Sequence, residues 1–568
     1  MTMNKRTSLT TLAALALAAV LALPLMNGST ATISVIVQGT HIDSVRDAAR
    51  SVGAEVTHEL GIINAVAVDL TPSQLDRLVR FDGVSRVYGN TGVEVSGKPV
   101  AADPGTIYPS RVGADLMHTQ GVTGAGVTVA VLDTGWDNFG AISYDTDGNW
   151  RVLESYDAIH DMIVGLPWRG PVYYPASYGQ NDSNGHASHV TSIILSQGNT
   201  NYEAPEEGLY HGIAPDANLV VVKAFDAHGQ GSYADVIRGI DWVVTNKDVH
   251  DIRVLNCSFS APVQSHYWDD PINQAVMAAW KAGIVVVASA GNNGPDPMTI
   301  GVPGNVPYVI TVGAMTDNYT LSTTSKPSKK TVLVPEDDRL ASFSSTGPTA
   351  EGFVKPEVVA PGGHMRGLIG YNVLAQEHPE FYNDLRQFIM SGTSQSAAVV
   401  SGAVALMLEA EPYLTPDDVK CKLMSSAQPA INPDGSLAYS VFQQGAGLIN
   451  IPGAVNATDL TCANNGLNIE QDLAGTAHFG GRANRTPDGS YYIMQLEGDG
   501  YIWNDGYIWN DGYIWSDAFI WNDGYIWSDA FIWNDSFIWS DSFIWNDGYV
   551  WSDGLTETMA VNNWVPQE

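Results

Sequence analysis

Basic residues are scarce in this chain. Against 61 Asp and Glu stand only 27 Lys and Arg, a formal net charge of −34 over 568 residues. Nucleic-acid binding needs a basic face to meet phosphates, and this balance argues against it. Cysteine is equally thin. Cys257, Cys421 and Cys462 are too few for a disulfide framework; a Cys421–Cys462 bridge is compatible with the sequence but not dictated by it. Long apolar runs are almost absent, the exception being residues 12–25. That run is short for a membrane span. It follows Lys5 and Arg6 and precedes the small residues Ser29, Thr30 and Ala31, so residues 1–31 read as a cleaved secretory signal. The protein is therefore expected to be secreted and extracellular.

What is present is a composition that folds, with 45% hydrophobic and 15% charged residues. The length exceeds one ordinary compact domain. Residues 32–98 form a first unit. "TISVIVQG" reads as a strand. In "HIDSVRDAARSVGAEV" the apolar residues Ile42, Val45, Ala49 and Val52 share a helical face. "NAVAVDL" is strand-like, "TPSQLDRLVRF" starts a helix with Pro72 in its first turn, and "VSRVYG" is strand-like again. The expected order β-α-β-α-β is a ferredoxin-like, split βαβ pattern. Residues 97–107 read as an exposed Gly/Pro linker. Residues 1–98 hold eight acidic and eight basic residues, so the whole −34 lies downstream.

Through residues 99–455 strands alternate with helices. "GVTVAVLD", "NLVVVKAF", "IRVLNCSFS", "GIVVVASAG" and "VPYVITVGAM" are near-continuous Val/Ile runs, as parallel strands buried on both faces require. "SYADVIRGIDWVVT" and "PINQAVMAAWKA" are helical between them. The fold class is α/β, with a doubly wound, mostly parallel sheet. Residues 456–499 are polar and Gly-rich without a clear period, a linker or small extension. Residues 500–554 carry a six-residue repeat, and 555–568 a tail.

In an open parallel sheet, ligands gather at the carboxyl ends of the strands. Asp133 ends the strand "TVAVLD", and Asn292 follows "IVVVASAG". Ser394 stands in "SGTSQSAAVVSGAVALMLEA", where a turn leads into a helix of small residues. A Ser there faces unpaired N–H groups and the positive end of the helix dipole, which suits a nucleophile whose attack creates an oxyanion. "SNGHASHV" (183–190) sets His186 and His189 three residues apart. Alone, that pair is open to three readings: metal ligands, core histidines, or a base beside a structural neighbour.

Taken together, "VAVLDTG", "GHASHV", "ASAGNNG" and "GTSQSAA", with "ASFSSTG…KPEVVAPG", resemble the motifs of the subtilisin-like serine proteases over about residues 110–455. The resemblance implies a serine endopeptidase that needs no cofactor for catalysis. It assigns Asp133, His186 and Ser394 as the catalytic residues and Asn292 as the oxyanion donor, with His189 a packing neighbour. Ala187-Ser188 replaces the family's usual Gly-Thr, and Gln395-Ser396-Ala397-Ala398 its Met-Ala-Ser-Pro. An acidic branch using Glu for His and Asp for Asn is disfavoured by His186 and Asn292.

The same resemblance places peptide substrates between two edges, one carrying Gly229, Gly231 and Tyr233, the other Ser258 to Ser260. Tyr233 would line the fourth subsite. Gly301 would floor the first pocket, leaving room for large apolar residues before the cut bond, while Ser260, where Gly is usual, narrows one wall. Residues 32–98 resemble the inhibitory pro-segment, an intramolecular partner. Insertions are expected between Asp133 and His186 and at about 315–338 and 364–388. The family commonly binds structural calcium, although no segment shows a calcium-loop spacing. The competing class is a non-catalytic surface-binding protein that keeps the protease fold.

From residue 500 to 553 the chain repeats nine times as small–aromatic–Ile/Val–Trp–Asn/Ser–Asp, with nine of the sixteen Trp and no Lys or Arg. The triplets favour strand and Asn-Asp-Gly favours turn. Stacked units would make an aromatic ladder and an Asp ladder open to calcium. A loosely ordered low-complexity tail is the alternative. The expected partner is a polysaccharide or cell surface.

Overall fold

The computed structural model describes residues 32–90, 92–95, 98–99, 108–164, 182–198, 210–316, 338–382, 386–460, 462–486 and 489–494. The expected signal, most of the 97–107 linker and the hexapeptide repeats lie outside the described residues.

The first unit runs β1 (Ile33–Gly39), α1 (Ile42–Ser51), β2 (Glu55–Leu60), β3 (Ala65–Leu70), α2 (Pro72–Leu78) and β4 (Val84–Gly89). Its antiparallel sheet has the order β2-β3-β1-β4. The expected five-element pattern lacked β2. "EVTHEL" alternates half-buried and exposed positions beside charged residues, as an edge strand does. Alternation divides β3 between two cores. Val66, Val68 and Leu70 pack under α1 and α2, while Ala65 and Ala67 join the core of the main body. Thr71 caps α2, its hydroxyl accepting from Gln74 N–H while the Gln74 side chain accepts from Thr71 N–H.

Between the two units lie β5 (Gly92–Val95) and β6 (Lys98–Pro99). The main body is built on a nine-stranded sheet of β7 (Thr128–Asp133), β8 (Val152–Asp157), β9 (Met162–Ile163), β10 (Asn218–Lys223), β12 (Ile252–Cys257), β14 (Val285–Ser289), β15 (Ile310–Thr316), β16 (Arg339–Leu340) and β17 (Val358–Pro361). Neighbours in the run β8-β10-β7-β12-β14-β15 are parallel. Within the segment between Asp133 and His186 where an insertion was expected, "VLESYD" forms β8 and enters the sheet beside β10. α3 (His186–Leu195) packs against α7 (Thr393–Ala410). α4 (Tyr233–His250) packs against α5 (Pro271–Lys281). The expected 364–388 insertion contains β18 (Met365–Leu368), α6 (Val373–Glu377) and the start of β19 (Gln387–Ser391).

The first unit sits on α4 and α5. His58 Nε2 meets Asp235 Oδ1 at 2.6 Å. Gln38 Nε2 donates to Gln274 Oε1 at 2.6 Å. Arg86 pairs with Asp269. The 456–499 extension is not a free linker where it is described. Cys462 forms a disulfide with Cys421, with 5.2 Å between Cα atoms. Asp472, buried, accepts from the hydroxyls of Tyr267 (2.7 Å) and Tyr308 (2.8 Å). Among the described residues no helix is long and apolar enough to cross a membrane.

Candidate active site

β7 lies inside the sheet, with β10 on one side and β12 on the other. Its last residue, Asp133, therefore reaches the crevice at the carboxyl ends of the strands. His186 opens α3 directly after Gly185. Gly185 has φ 111°, and a Cβ there would fall 2.6 Å from the Asn372 amide, so both the turn and the close approach call for glycine. His186 Nδ1 lies 2.9 Å from each carboxylate oxygen of Asp133. Both side chains are 1% exposed. Burial pushes the Asp133 carboxyl above its usual range; the nearby Asp182 adds to this, while the His186 ring and the Thr134 N–H oppose it.

Ser394 is the second residue of α7. Its Oγ donates to the Ser258 carbonyl at 2.9 Å, and Ser258 Oγ donates to the Ser394 carbonyl at 3.0 Å. Asn256 Nδ2 donates to Ser258 Oγ at 2.8 Å, and Ser401 Oγ donates to Asn256 Oδ1 at 2.8 Å. These bonds join the end of β12 to the helix that carries Ser394. The Gly362 turn packs tightly on the same helix: a Cβ there would meet Ser396 Oγ at 2.1 Å. The small residues seen in the sequence thus serve a close backbone approach.

Asn292 is half-buried. Its Oδ1 accepts from the Thr393 N–H and the Thr393 hydroxyl, each at 2.9 Å. With the oxygen held, the NH₂ end remains as the donor. The Asp133–His186 pair, the Ser394 hydroxyl at a helix N-terminus and this oriented amide are the parts that acyl transfer requires.

His189 is fully buried, and its Nε2 lies 3.1 Å from the carbonyls of both Met365 and Phe388. Burial first, then His186, pushes it down to about 3, so it is neutral near pH 7. Of the three readings of the histidine pair, His189 takes that of the core histidine. Among the described residues no group of three or more His, Cys, Asp and Glu is gathered to hold a metal. The two family departures have local partners. Ser188 Oγ accepts from Asp137 N–H at 3.0 Å, and Gln395 Nε2 lies 3.4 Å from His189 Nδ1.

Of the expected cleft residues, Gly229 takes a left-handed turn (φ 74°) before β11 (Gln230–Ser232), which contains Gly231. Ser258 precedes β13 (Phe259–Ser260). Between these two edges lies β5, antiparallel to both: Gly231 pairs with Val93, and Ser260 with Glu94. β6 then pairs with β19, Lys98 opposite Ser391 and Pro99 opposite Met390. Tyr233, directly after β11, is 2% exposed with β5 alongside, and its hydroxyl donates to Asp270 at 3.0 Å. A Cβ on Gly301 would meet Ser260 Oγ at 2.0 Å. The room expected above that glycine is thus partly taken by the Ser260 hydroxyl.

The sequence reading missed Thr393, which orients Asn292, as well as Asn372 and Asp182. Thr393 was visible in the "GTS" tripeptide but masked by its famous neighbour. Asn372 had no local signal, since the turn it packs against, with the Asp182 carbonyl it donates to, lies far away in the chain.

Comparison with known proteins gives one consistent result. The family described as the subtilase family matches residues 124–447. The chain is similar to serine protease AprX of Bacillus subtilis (strain 168), 34% identical over 408 residues, covering 69% of this chain and 79% of that protein. It is similar to subtilisin DY of Bacillus licheniformis, 30% identical over 343 residues, covering 60% and 95%. It is also similar to subtilisin E of Bacillus subtilis (strain 168), 28% identical over 411 residues, covering 72% and 85%. Among solved structures, fervidolysin from Fervidobacterium pennivorans, a keratinolytic enzyme related to subtilisin, aligns with a TM-score of 0.56 at 22% identity, covering 76% of this chain and 62% of that one. That last likeness speaks for the fold alone.

Proposed function

Because the chain belongs to the subtilase family and is a serine-type endopeptidase, we propose that it is secreted as a zymogen and cuts through Asp133, His186 and Ser394. The observation that carries this reading is His186 Nδ1 held 2.9 Å from both Asp133 oxygens, in the crevice where Ser394 heads its helix. His186 takes the Ser394 proton through Nε2 as Oγ attacks the scissile carbonyl. Asp133 fixes the Nδ1–H tautomer and stabilises the charged ring. The Asn292 amide and the Ser394 N–H receive the oxyanion. The protonated ring then passes its proton to the leaving amine.

The zymogen reading is supported by β5, which occupies the central place of a three-stranded sheet, as a peptide substrate adding a strand would. β6 continues on the other side, pairing with Ser391 three residues before Ser394. The first self-cleavage falls between Val95 and Lys98, freeing residues 32 to about 96 as an inhibitor in the cleft. Substrates are proteins or peptides, with apolar residues favoured before the cut bond. The hexapeptide repeats hold the mature enzyme to polysaccharide or cell envelope, and their Asp residues are the proposed source of calcium ligands.

N-terminal sequencing of secreted protein from wild type and from Ser394→Ala tests the reading. Wild type should start between residues 96 and 98, and Ser394→Ala should retain the first unit. A processed Ser394→Ala protein would refute the nucleophile.

A further inference from the structure

Asp182 lies four residues before His186, is 1% exposed, and was not singled out by any motif. Its Oδ1 accepts from the Thr134 hydroxyl and the Gly185 N–H, and its Oδ2 from the Ser188 N–H, each at 2.7 Å. Thr134 directly follows Asp133, and its hydroxyl accepts in turn from Ala187 N–H at 3.0 Å. One carboxylate therefore joins the end of the strand that carries Asp133 to both sides of the first turn that carries His186.

The loop is also braced from outside. Asn372 Nδ2 donates to the Asp182 carbonyl at 3.3 Å. The backbone N–H groups of Val373 and Leu374 donate to the carbonyls of Ser183 (3.0 Å) and Asn184 (3.1 Å). The 364–388 insertion, which a comparison of motifs leaves without a task, is thus the backing for this turn.

We infer that Asp182 is a positioning residue for the His186 base, setting the imidazole against Asp133 through Thr134 and the α3 N-terminus. Nδ1 is 2.9 Å from both Asp133 oxygens, and a shift of one residue's width in either element would lose that contact. Misplacing a catalytic group by about 1 Å costs roughly 10² in rate. Asp182 also contributes charge. It acts on Asp133 and on Asp137, a half-buried carboxyl in this network, which also accepts from Gly370 N–H at 3.0 Å and feels Arg386. An amide in place of the carboxylate has only one acceptor atom for three donors, so at least one buried N–H or O–H is left unsatisfied.

The inference rests on His186 being the base, and the test separates the two. In the full-length enzyme, Asp182→Asn and Thr134→Val are assayed on a fluorogenic peptide over a range of pH, with His186→Ala as control. Asp182→Asn should lower kcat by roughly 10² with KM within about twofold. Its acid limb should move to lower pH, because a negative charge that favours the protonated ring is gone. Thr134→Val should lower kcat and leave the acid limb where it is. Should a variant fail to mature, the same substitution in Ser394→Ala is examined by NMR. The Nδ1 proton of His186, held by Asp133 in the parent, should broaden or move upfield. Wild-type kcat in both variants, or an unchanged Nδ1 resonance in variants that fail to mature, overturns the role of Asp182. Full activity in His186→Ala overturns instead the assignment of the base.

Discussion

The Ser394 hydroxyl donates to the carbonyl of Ser258 at 2.9 Å, and the Ser258 hydroxyl donates back to the carbonyl of Ser394 at 3.0 Å. The proposed nucleophile is thus tied to the cleft edge at its side chain and at its backbone. Attack requires Oγ to leave that carbonyl and turn to His186, while the backbone bond keeps the helix start in place.

Ser394→Ala is expected to lower turnover by roughly 10⁶, the scale seen when a subtilisin loses its nucleophile. Phenylmethylsulfonyl fluoride should inactivate the wild type by sulfonylating the Ser394 oxygen, with fluoride as the leaving group. Single-turnover assays on a fluorogenic peptide check both; undiminished turnover in the variant removes Ser394 from the mechanism.

Asn292→Ala should lower kcat by roughly 10² to 10³ with little change in KM, because the amide bond strengthens only in the transition state. Thr393→Val leaves the Asn292 oxygen with one donor fewer and should give a smaller loss in the same direction. Normal kcat in Asn292→Ala would place the oxyanion site elsewhere.

His189 gives stability a defined pH dependence. Its folded value is pushed down to about 3, below the ordinary value near 6.5. Between these limits the unfolded chain binds a proton that the folded one does not, so stability rises with pH across the window. It is fully present above about 6.5 and is lost as pH falls towards 3, at about 1.4 kcal/mol per pH unit from this residue alone. Urea unfolding of Ser394→Ala at pH 7 and pH 4.5 measures the slope. Replacing His189 with Gln should flatten it, and an unchanged slope would assign the acid sensitivity to other groups.

Ser260→Gly should raise kcat/KM for substrates with Phe or Tyr before the cut bond relative to those with Ala. The Ser260 hydroxyl lies against Gly301, within 2.0 Å of where a Cβ would stand, and its removal opens the pocket. A peptide-library profile of the two enzymes decides, and identical profiles would mean that Ser260 does not face the substrate.

Truncation after residue 495 should leave cleavage of soluble peptides intact while reducing retention on cells or insoluble polysaccharide. Truncation after residue 455 should instead cost stability, since it removes the Cys421–Cys462 bridge and the Asp472 carboxylate bonded to Tyr267 and Tyr308. Thermal unfolding of the two truncations distinguishes them; equal melting points would mean that the 462–494 segment contributes nothing to the body.

The sequence by itself determined the sheet and pointed to the proposed reacting groups. Val/Ile runs such as "TVAVLD" and "NLVVVK" can be buried on both faces only inside a parallel sheet, and Asp133, His186, Asn292 and Ser394 each stand in a local motif. Local patterning also marked α1 and α2. It did not reveal β2 or β8: "EVTHEL" is an edge strand whose alternation beside charged residues a loop tolerates equally well, and "VLESYD" carries two carboxylates where the other sheet strands carry Val/Ile runs. The tertiary structure alone decided what depends on residues far apart in the chain. It set Asp182 against Thr134, Asn372 against Gly185, Thr393 against Asn292 and Ser260 over Gly301. It also laid β5 between two edges more than twenty residues apart. Partners of this kind, hydrogen-bonded or closely packed, are chosen by how the elements meet, and no period or spacing along the chain records that meeting.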